Sequence, residues 1–342
     1  MRRPGRFGIA ALILLIAVSG AYGVFWWVAA GRLKQSIADW AQAMRAQQVE
    51  ASWDAVRVGG FPFGFRIELT AARLRDASMN PAPELRLPLV SAGASLWGLR
   101  SWRFSAPQGL TAELAGAGQR PPVRVVAERA SGAATVGPGA GGTYWLTLQQ
   151  ASADIGLRVE AQLADFWIIL PAAPAAAHTD PSVSGAVRLR QATLPIALPS
   201  FGQTVDEVAV AGSVMGAIPA GSARQAAAAW REAGGTVEIE NSRLRWGGLG
   251  VDASGTMALA GDLQPVGSFS ATIQGYDQVM TALVATGQVR ARDAGLARLA
   301  LGLMAKPGPD GKPQITTSFT IQNGEMFLGP ARLGPVPRIA WE

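Results

Sequence analysis

From Phe7 to Ala30, twenty-four consecutive residues carry no charge. A helix of that length rises about 36 Å, more than the roughly 30 Å hydrocarbon core of a bilayer. The run predicts a single-pass transmembrane anchor over residues 7–30, preceded by a cytoplasmic tail at residues 1–6 that carries Arg2, Arg3 and Arg6. Tyr22, Phe25, Trp26 and Trp27 stand near the far end, where amphipathic rings favour the headgroup level, and are the expected membrane-interface anchors. The early arginines outweigh Arg32 and Lys34, which places the bulk of the chain on the non-cytoplasmic side. The alternative is a cleaved secretory signal ending at Val28-Ala29-Ala30, and it exports the same remainder.

The net charge of +6 invites a nucleic-acid reading, but five basic residues lie at or before Lys34, leaving 25 basic residues facing 24 acidic ones. The basicity belongs to the anchor region, and no nucleic-acid footprint remains. The chain has no cysteine, which excludes disulfides, thiolate metal sites and a cysteine nucleophile. Only 16% of residues are charged while 49% are hydrophobic, so the exported part is itself apolar.

Beyond the anchor, Leu33, Ile37, Trp40 and Met44 recur at helical spacing and predict an amphipathic stalk helix over residues 31–50 that packs on the following domain. The period then changes to two. Phe61, Phe63, Phe65, Ile67 and Leu69 alternate with Gly64, Arg66, Glu68 and Thr70, which describes a strand with one face in an apolar environment; Gly59, Gly60 and Pro62 make its start a turn or bulge. Short runs follow at 85–92, 102–106, 110–114, 123–130, 144–153 and 157–170, with a glycine-rich loop expected at 132–142. A β-rich module at 51–170, a Pro/Ala-rich linker or crossover at 171–182 and a second β-rich module with helices at 183–342 are expected.

In the second module, Ser222 and Gln225 form a capping-box signature for an alanine-rich helix ending near Gly234-Gly235. Strands are expected at 236–246, 249–260 and 267–274, then helices at 277–286 and 290–304, the second with Leu296, Leu299 and Leu303 on one face. Asn323-Gly324 between runs at 315–321 and 325–328 is a strong hairpin signal. The fold class is therefore mainly β with some α: a transmembrane helix followed by antiparallel β-rich modules with a few helices.

Catalytic signals are weak. His178 is the one histidine and lies in the Pro/Ala-rich segment, where a solvated loop residue is the plain reading. Gly137, Gly139 and Gly142 satisfy GxGxxG, yet Tyr144 to Leu148 reads as a strand where dinucleotide binding requires a helix. Glu238 and Glu240 either oppose Arg245 and Arg243 across a two-residue turn or share one bulged strand with them. The chain reads as non-catalytic, with no catalytic, cofactor or metal residue assigned. The apolar series Phe61, Phe63, Phe65, Ile67 and Leu69 faces either a core of its own side chains or the acyl chains of a lipid.

The segment Gly59 to Phe65 and the ending Ile321 to Pro330 with Leu333 to Pro337 resemble the bacterial envelope family catalogued as domain of unknown function 2125. Leu244-Arg245-Trp246, Ser254-Gly255-Thr256 and Gly261 to Pro265 are similar to AsmA-type envelope proteins. The resemblance implies an inner-membrane anchor, a β-rich groove in the periplasm and a link to lipid traffic, and it transfers no catalytic residues. The expected partners are the inner-membrane bilayer together with phospholipid, or alternatively another envelope protein held by a structural or adaptor chain without lipid carriage.

Overall fold

The computed structural model describes residues 6–114, 122–137, 139, 141–198, 200–287, 290–309, 311–329 and 331–341, apart from the side chains of 6–14, 16, 293, 296, 297, 300 and 331. One helix, α1 (Arg6–Ala46), 41 residues long, covers the stretch expected as anchor and most of the stalk. Much of the expected anchor thus falls on side chains outside the described set; among the described residues no helix is long and apolar enough to cross a membrane.

Strands follow in chain order. They are β1 (Val49–Ser52), β2 (Ala55–Gly59), β3 (Gly64–Asp76), β4 (Glu84–Ser95), β5 (Ser101–Ala106), β6 (Leu110–Leu114), β7 (Val123–Val136), β8 (Gly142–Asp154) and β9 (Arg158–Leu170). Then come β10 (Pro181–Leu198), β11 (Gly202–Met215), α2 (Ala223–Glu232), β12 (Thr236–Trp246), β13 (Leu249–Leu259) and β14 (Pro265–Gln274). The remainder is α3 (Tyr276–Ala285), α4 (Ala291–Met304), β15 (Lys306–Pro307), β16 (Pro313–Gln322), β17 (Glu325–Leu328) and β18 (Ala331–Pro335).

All eighteen strands belong to one sheet, and the pairing is antiparallel throughout and almost entirely between chain neighbours, as short connections favour. Interrupted strands share a place: β1 and β2 both pair with β3, and β5 and β6 both lie between β4 and β7. The sheet runs on where a module boundary was expected. β9 and β10 pair from Ile169↔Ser184 to Glu160↔Thr193, so residues 171–180 are a connection within one sheet. Its backbone is satisfied locally, because the Asp180 carboxylate accepts from the amides of Ala176 and Ala177 at 3.0 and 2.9 Å.

A compact chain of this mass exposes about 13,000 Å², whereas this one exposes 21520 Å². Among the described residues no second layer packs along most of the sheet's width, and much of α1 is exposed as well. Buried hydrophobic residues are mainly alanines, and no large side chain reaches full burial among the described residues.

A crease crosses the sheet at mid-height. Ala71, Gln150 and Gln191 adopt φ of 52°, 48° and 51° within β3, β8 and β10, the left-handed region that non-glycine residues rarely enter. Pairing skips Gln150 and Gln191 while resuming two residues on, and the breaks between β1 and β2 and between β5 and β6 fall at the same level. Side-chain alternation changes phase there. Ala127 and Ala130, three apart on β7, both pack in one cluster, as do Leu148 and Ala151 on β8.

Other expectations resolve locally. Gly132 to Val136 belong to β7, not to a loop, because Phe104 of β5 lies over Gly132: a Cβ there would sit 2.2 Å from Phe104 Cζ. Strands β10 and β11 were not expected individually. The capping box forms at α2, with the Gln225 amide donating to Ser222 Oγ at 3.4 Å. Asn323 and Gly324, at φ 54° and 74°, turn β16 into β17 as two left-handed residues of the type I′ pattern require. β12 is the bulged single strand, not a hairpin, and Arg243 and Arg245 pair with Asp252 at 3.2 and 2.7 Å. On α4, Leu299 and Leu303 are exposed, and the side chain of Leu296 lies outside the described residues.

Candidate functional site: an uncovered apolar sheet face

Hydrogen-bonded registry links residues across the sheet, and directly paired residues share a face. Starting from Ile67 on β3, successive partners are Ala92, Phe104, Gly132, Leu146, Phe166, Val187, Val210, Ser242, Ala253, Ala271 and Thr317. The rung crosses twelve strands without a charge. One residue away, on the opposite face, the rung reads Glu68, Ser91, Ser105, Ser131, Thr147, Asp165, Arg188, Ala209, Arg243, Asp252, Thr272 and Thr316. This face holds itself together by polar pairing. The Thr147 hydroxyl donates to Asp165 at 2.6 Å, Arg190 donates to the other Asp165 oxygen at 3.2 Å, and Arg188 meets Glu207 at 3.1 Å.

The apolar rung is only shallowly covered. Val187 and Val210 remain 41% exposed and Ile168, one rung along, 46%. Phe104, Leu146, Phe166 and Leu189 are half-buried, sheltered by one another and by small residues beneath them. Among the described residues, α1 meets the sheet at β1 and β2, α2 and α3 at β13, and α4 at β16. α1 docks on the first edge through Tyr22, Trp26, Ala30, Leu33, Ile37, Ala41 and Met44, all buried or half-buried, while Trp40 turns out and is 48% exposed. Ala41 of α1 and Ala51 of β1 are each 5% exposed. α2 is fixed by Trp230, whose indole donates to the Met215 carbonyl at 2.8 Å.

The aromatic series read from the sequence divides at Gly64, where β3 begins. Phe65, Ile67 and Leu69 lie on the strand and are half-buried. Phe61 and Phe63 do not share that face: they occupy the turn before it, around a cis Phe61–Pro62 bond, and are 55% and 79% exposed. The turn is clamped to α1. The Tyr22 hydroxyl donates to the Pro62 carbonyl, the Trp26 indole donates to the Gly64 carbonyl at 3.0 Å, and Trp26 stacks on Phe65 with centroids 5.9 Å apart. Two of the four expected interface anchors, Tyr22 and Trp26, therefore engage protein, whereas Phe25 and Trp27 are 59% and 74% exposed.

His178 is exposed in the β9–β10 connection beside Gly216 and Gly234. Among the described residues no group of three or more His, Asp or Glu side chains is placed to hold a metal ion. A cleft of about 430 Å³ on the polar face follows the crease, lined by Glu128, Gln150, Ser152, Arg158, Glu160 and Gln191 among others. Three surface carboxyl groups are lowered by their neighbours. The Arg86 guanidinium holds the Glu84 carboxyl below the usual range, Arg332 does the same to Glu325, and the Ser78 hydroxyl and amide lower Asp76. The phase shift at the crease was the signal for the two-faced architecture that simple alternation misses.

A family model described as an uncharacterized protein conserved in bacteria, DUF2125, matches residues 26–337. The chain belongs to the DUF2125 family. The match begins at Trp26, the α1 residue clamped to Gly64, and ends beyond β18, so the DUF2125 unit takes in most of the docked part of α1 and the whole sheet. No curated protein and no solved structure matches this DUF2125 chain.

Proposed function

We propose that this protein is a non-catalytic, membrane-anchored lipid-handling component of the bacterial cell envelope, whose uncovered apolar sheet face accommodates acyl chains. The observation that carries the reading is the charge-free rung from Ile67 to Thr317 with no layer packed over most of it. Each methylene laid on such a face contributes about 0.8 kcal/mol. A phospholipid tail therefore stabilises what a second protein layer would otherwise have to cover. The uncharged run at residues 7–30 supports anchoring by α1, with the tail at 1–6 cytoplasmic and the sheet in the periplasm. The resemblance of residues 244–265 to AsmA-type proteins favours the same setting.

The test places a photo-crosslinking amino acid at Val187, and separately at Arg188, in the full chain in membranes containing labelled phospholipid. Lipid adducts at position 187 and none at position 188 are expected. A defined protein adduct at 187 with no lipid would replace this reading by that of an adaptor.

A further inference from the structure

The register with which α1 docks on the sheet fixes how far the sheet stands from the bilayer. We infer that the end of the sheet formed by the β2–β3 and β4–β5 turns is embedded in the headgroup region and upper acyl layer of the membrane that holds α1, gripping anionic phospholipid. This rests on the proposed spanning role of α1. Docking begins at Tyr22, which bonds the Pro62 carbonyl, and α1 precedes that contact by only 16 residues, Arg6 to Ala21. Those rise about 24 Å, short of the roughly 30 Å hydrocarbon core. Residues up to about Trp26 are needed to complete the crossing, and Trp26 is bonded to Gly64. The turns beside Tyr22 and Trp26 consequently share the membrane boundary with them.

The side chains there suit that depth. Phe63 is 79% exposed, Trp97 93%, Phe61 55% and Leu99 52%, and the two turns are joined by a hydrogen bond from the Leu96 amide to the Phe63 carbonyl at 3.2 Å. Gly59 to Phe63 contains no charge, and the β4–β5 turn, residues 96–100, carries a single one, the exposed Arg100 at its end. Set back from this rim, Arg66 and Arg103 both pair with Gly93. Both side chains are exposed on one rung just inside the turns, which at this depth puts them near the level where lipid phosphates are met. The apolar rung that begins at Phe65 and Ile67 then opens at the acyl layer, without an intervening stretch of water.

Because the chain has no native cysteine, a single environment-sensitive fluorophore reads depth. Trp97→Cys and Phe63→Cys, labelled with a nitrobenzoxadiazole dye, are compared with Ile155→Cys at the opposite end, all as full chains in vesicles of phosphatidylethanolamine and phosphatidylglycerol. The expected result is blue-shifted emission at 97 and 63, most of it lost when the lipids carry doxyl quenchers, with water-like and unquenched emission at 155. Aqueous emission at 97 and 63 in a chain that resists carbonate extraction overturns this inference while leaving the anchor intact. Aqueous emission in a chain that carbonate releases overturns both.

Discussion

Phe166 and Asp165 are chain neighbours on β9, yet they stand in different worlds: Phe166 joins a rung that no layer covers, and Asp165, 6% exposed, is tied to Thr147 and Arg190. The polar face meets part of its bonding potential through cross-strand pairs such as Thr147 with Asp165 and Arg243 with Asp252. The apolar face cannot saturate itself, because dispersion and water exclusion require matter above the sheet. Small residues and aromatic rings only thin the deficit, as where Phe104 lies over Gly132. The two sides of this sheet therefore differ in what they leave exposed to solvent.

Four perturbations break or sharpen this contrast. The largest effect is expected from Gly132→Ala, whose new Cβ would meet Phe104 Cζ at 2.2 Å and the Trp145 carbonyl at 2.3 Å. Overpacking of this kind costs about 1–3 kcal/mol, and the upper end is expected because one obstacle is backbone; urea denaturation measures it, and an unchanged midpoint would show that the Phe104 ring has free space to move. On the opposite face, Asp165→Ala leaves Thr147 and Arg190 without their shared acceptor. A loss of about 2 kcal/mol is expected on the scale of a buried charged hydrogen bond. Should it be neutral, the polar face would not be self-supporting in the way argued above.

Trp26→Ala removes the one indole that both bonds and stacks where the apolar face meets α1. The expected cost is about 1 kcal/mol for the hydrogen bond with a similar share for the ring pair, read as faster proteolysis of the segment between α1 and β3. The smallest effect concerns pH. Glu325 is held below its ordinary range by Arg332, so its contribution is present above the unfolded carboxyl value and is lost as pH falls through the depressed folded one. Hydrogen exchange at residues 331–335 should quicken only in that acidic window, and quickening at neutral pH would contradict the pairing.

Much of the architecture was legible because local chemistry decided it. The left-handed pair Asn323-Gly324 dictates a hairpin wherever it falls between apolar runs, and Ser222 with Gln225 announces a helix start on the same local grounds. What escaped depended on neighbours distant in sequence. Pro171 to Asp180 has the composition of a linker, but pairing of β9 with β10 on either side makes it a loop within a sheet. Gly132 to Val136 looked like loop because nothing local reports the Phe104 ring lying across them. At the site, Phe65, Ile67 and Leu69 lie on β3, whereas Phe61 and Phe63 follow the same period but precede the strand in a turn, with Phe61 against Tyr22 and Trp26 of α1. Alternation counts through a crease in the wrong phase, which hid the continuity of Ala127 with Ala130.

Because nearly every strand is bonded only to those adjacent in the chain, the molecule is assembled along one dimension. Its height is set by strands of about a dozen residues, roughly 43 Å for thirteen, and its breadth by how many hairpins are strung together. Gain or loss of one hairpin would widen or narrow the surface while leaving the pairing of every other strand in place, so capacity and reach are separately adjustable by the genome.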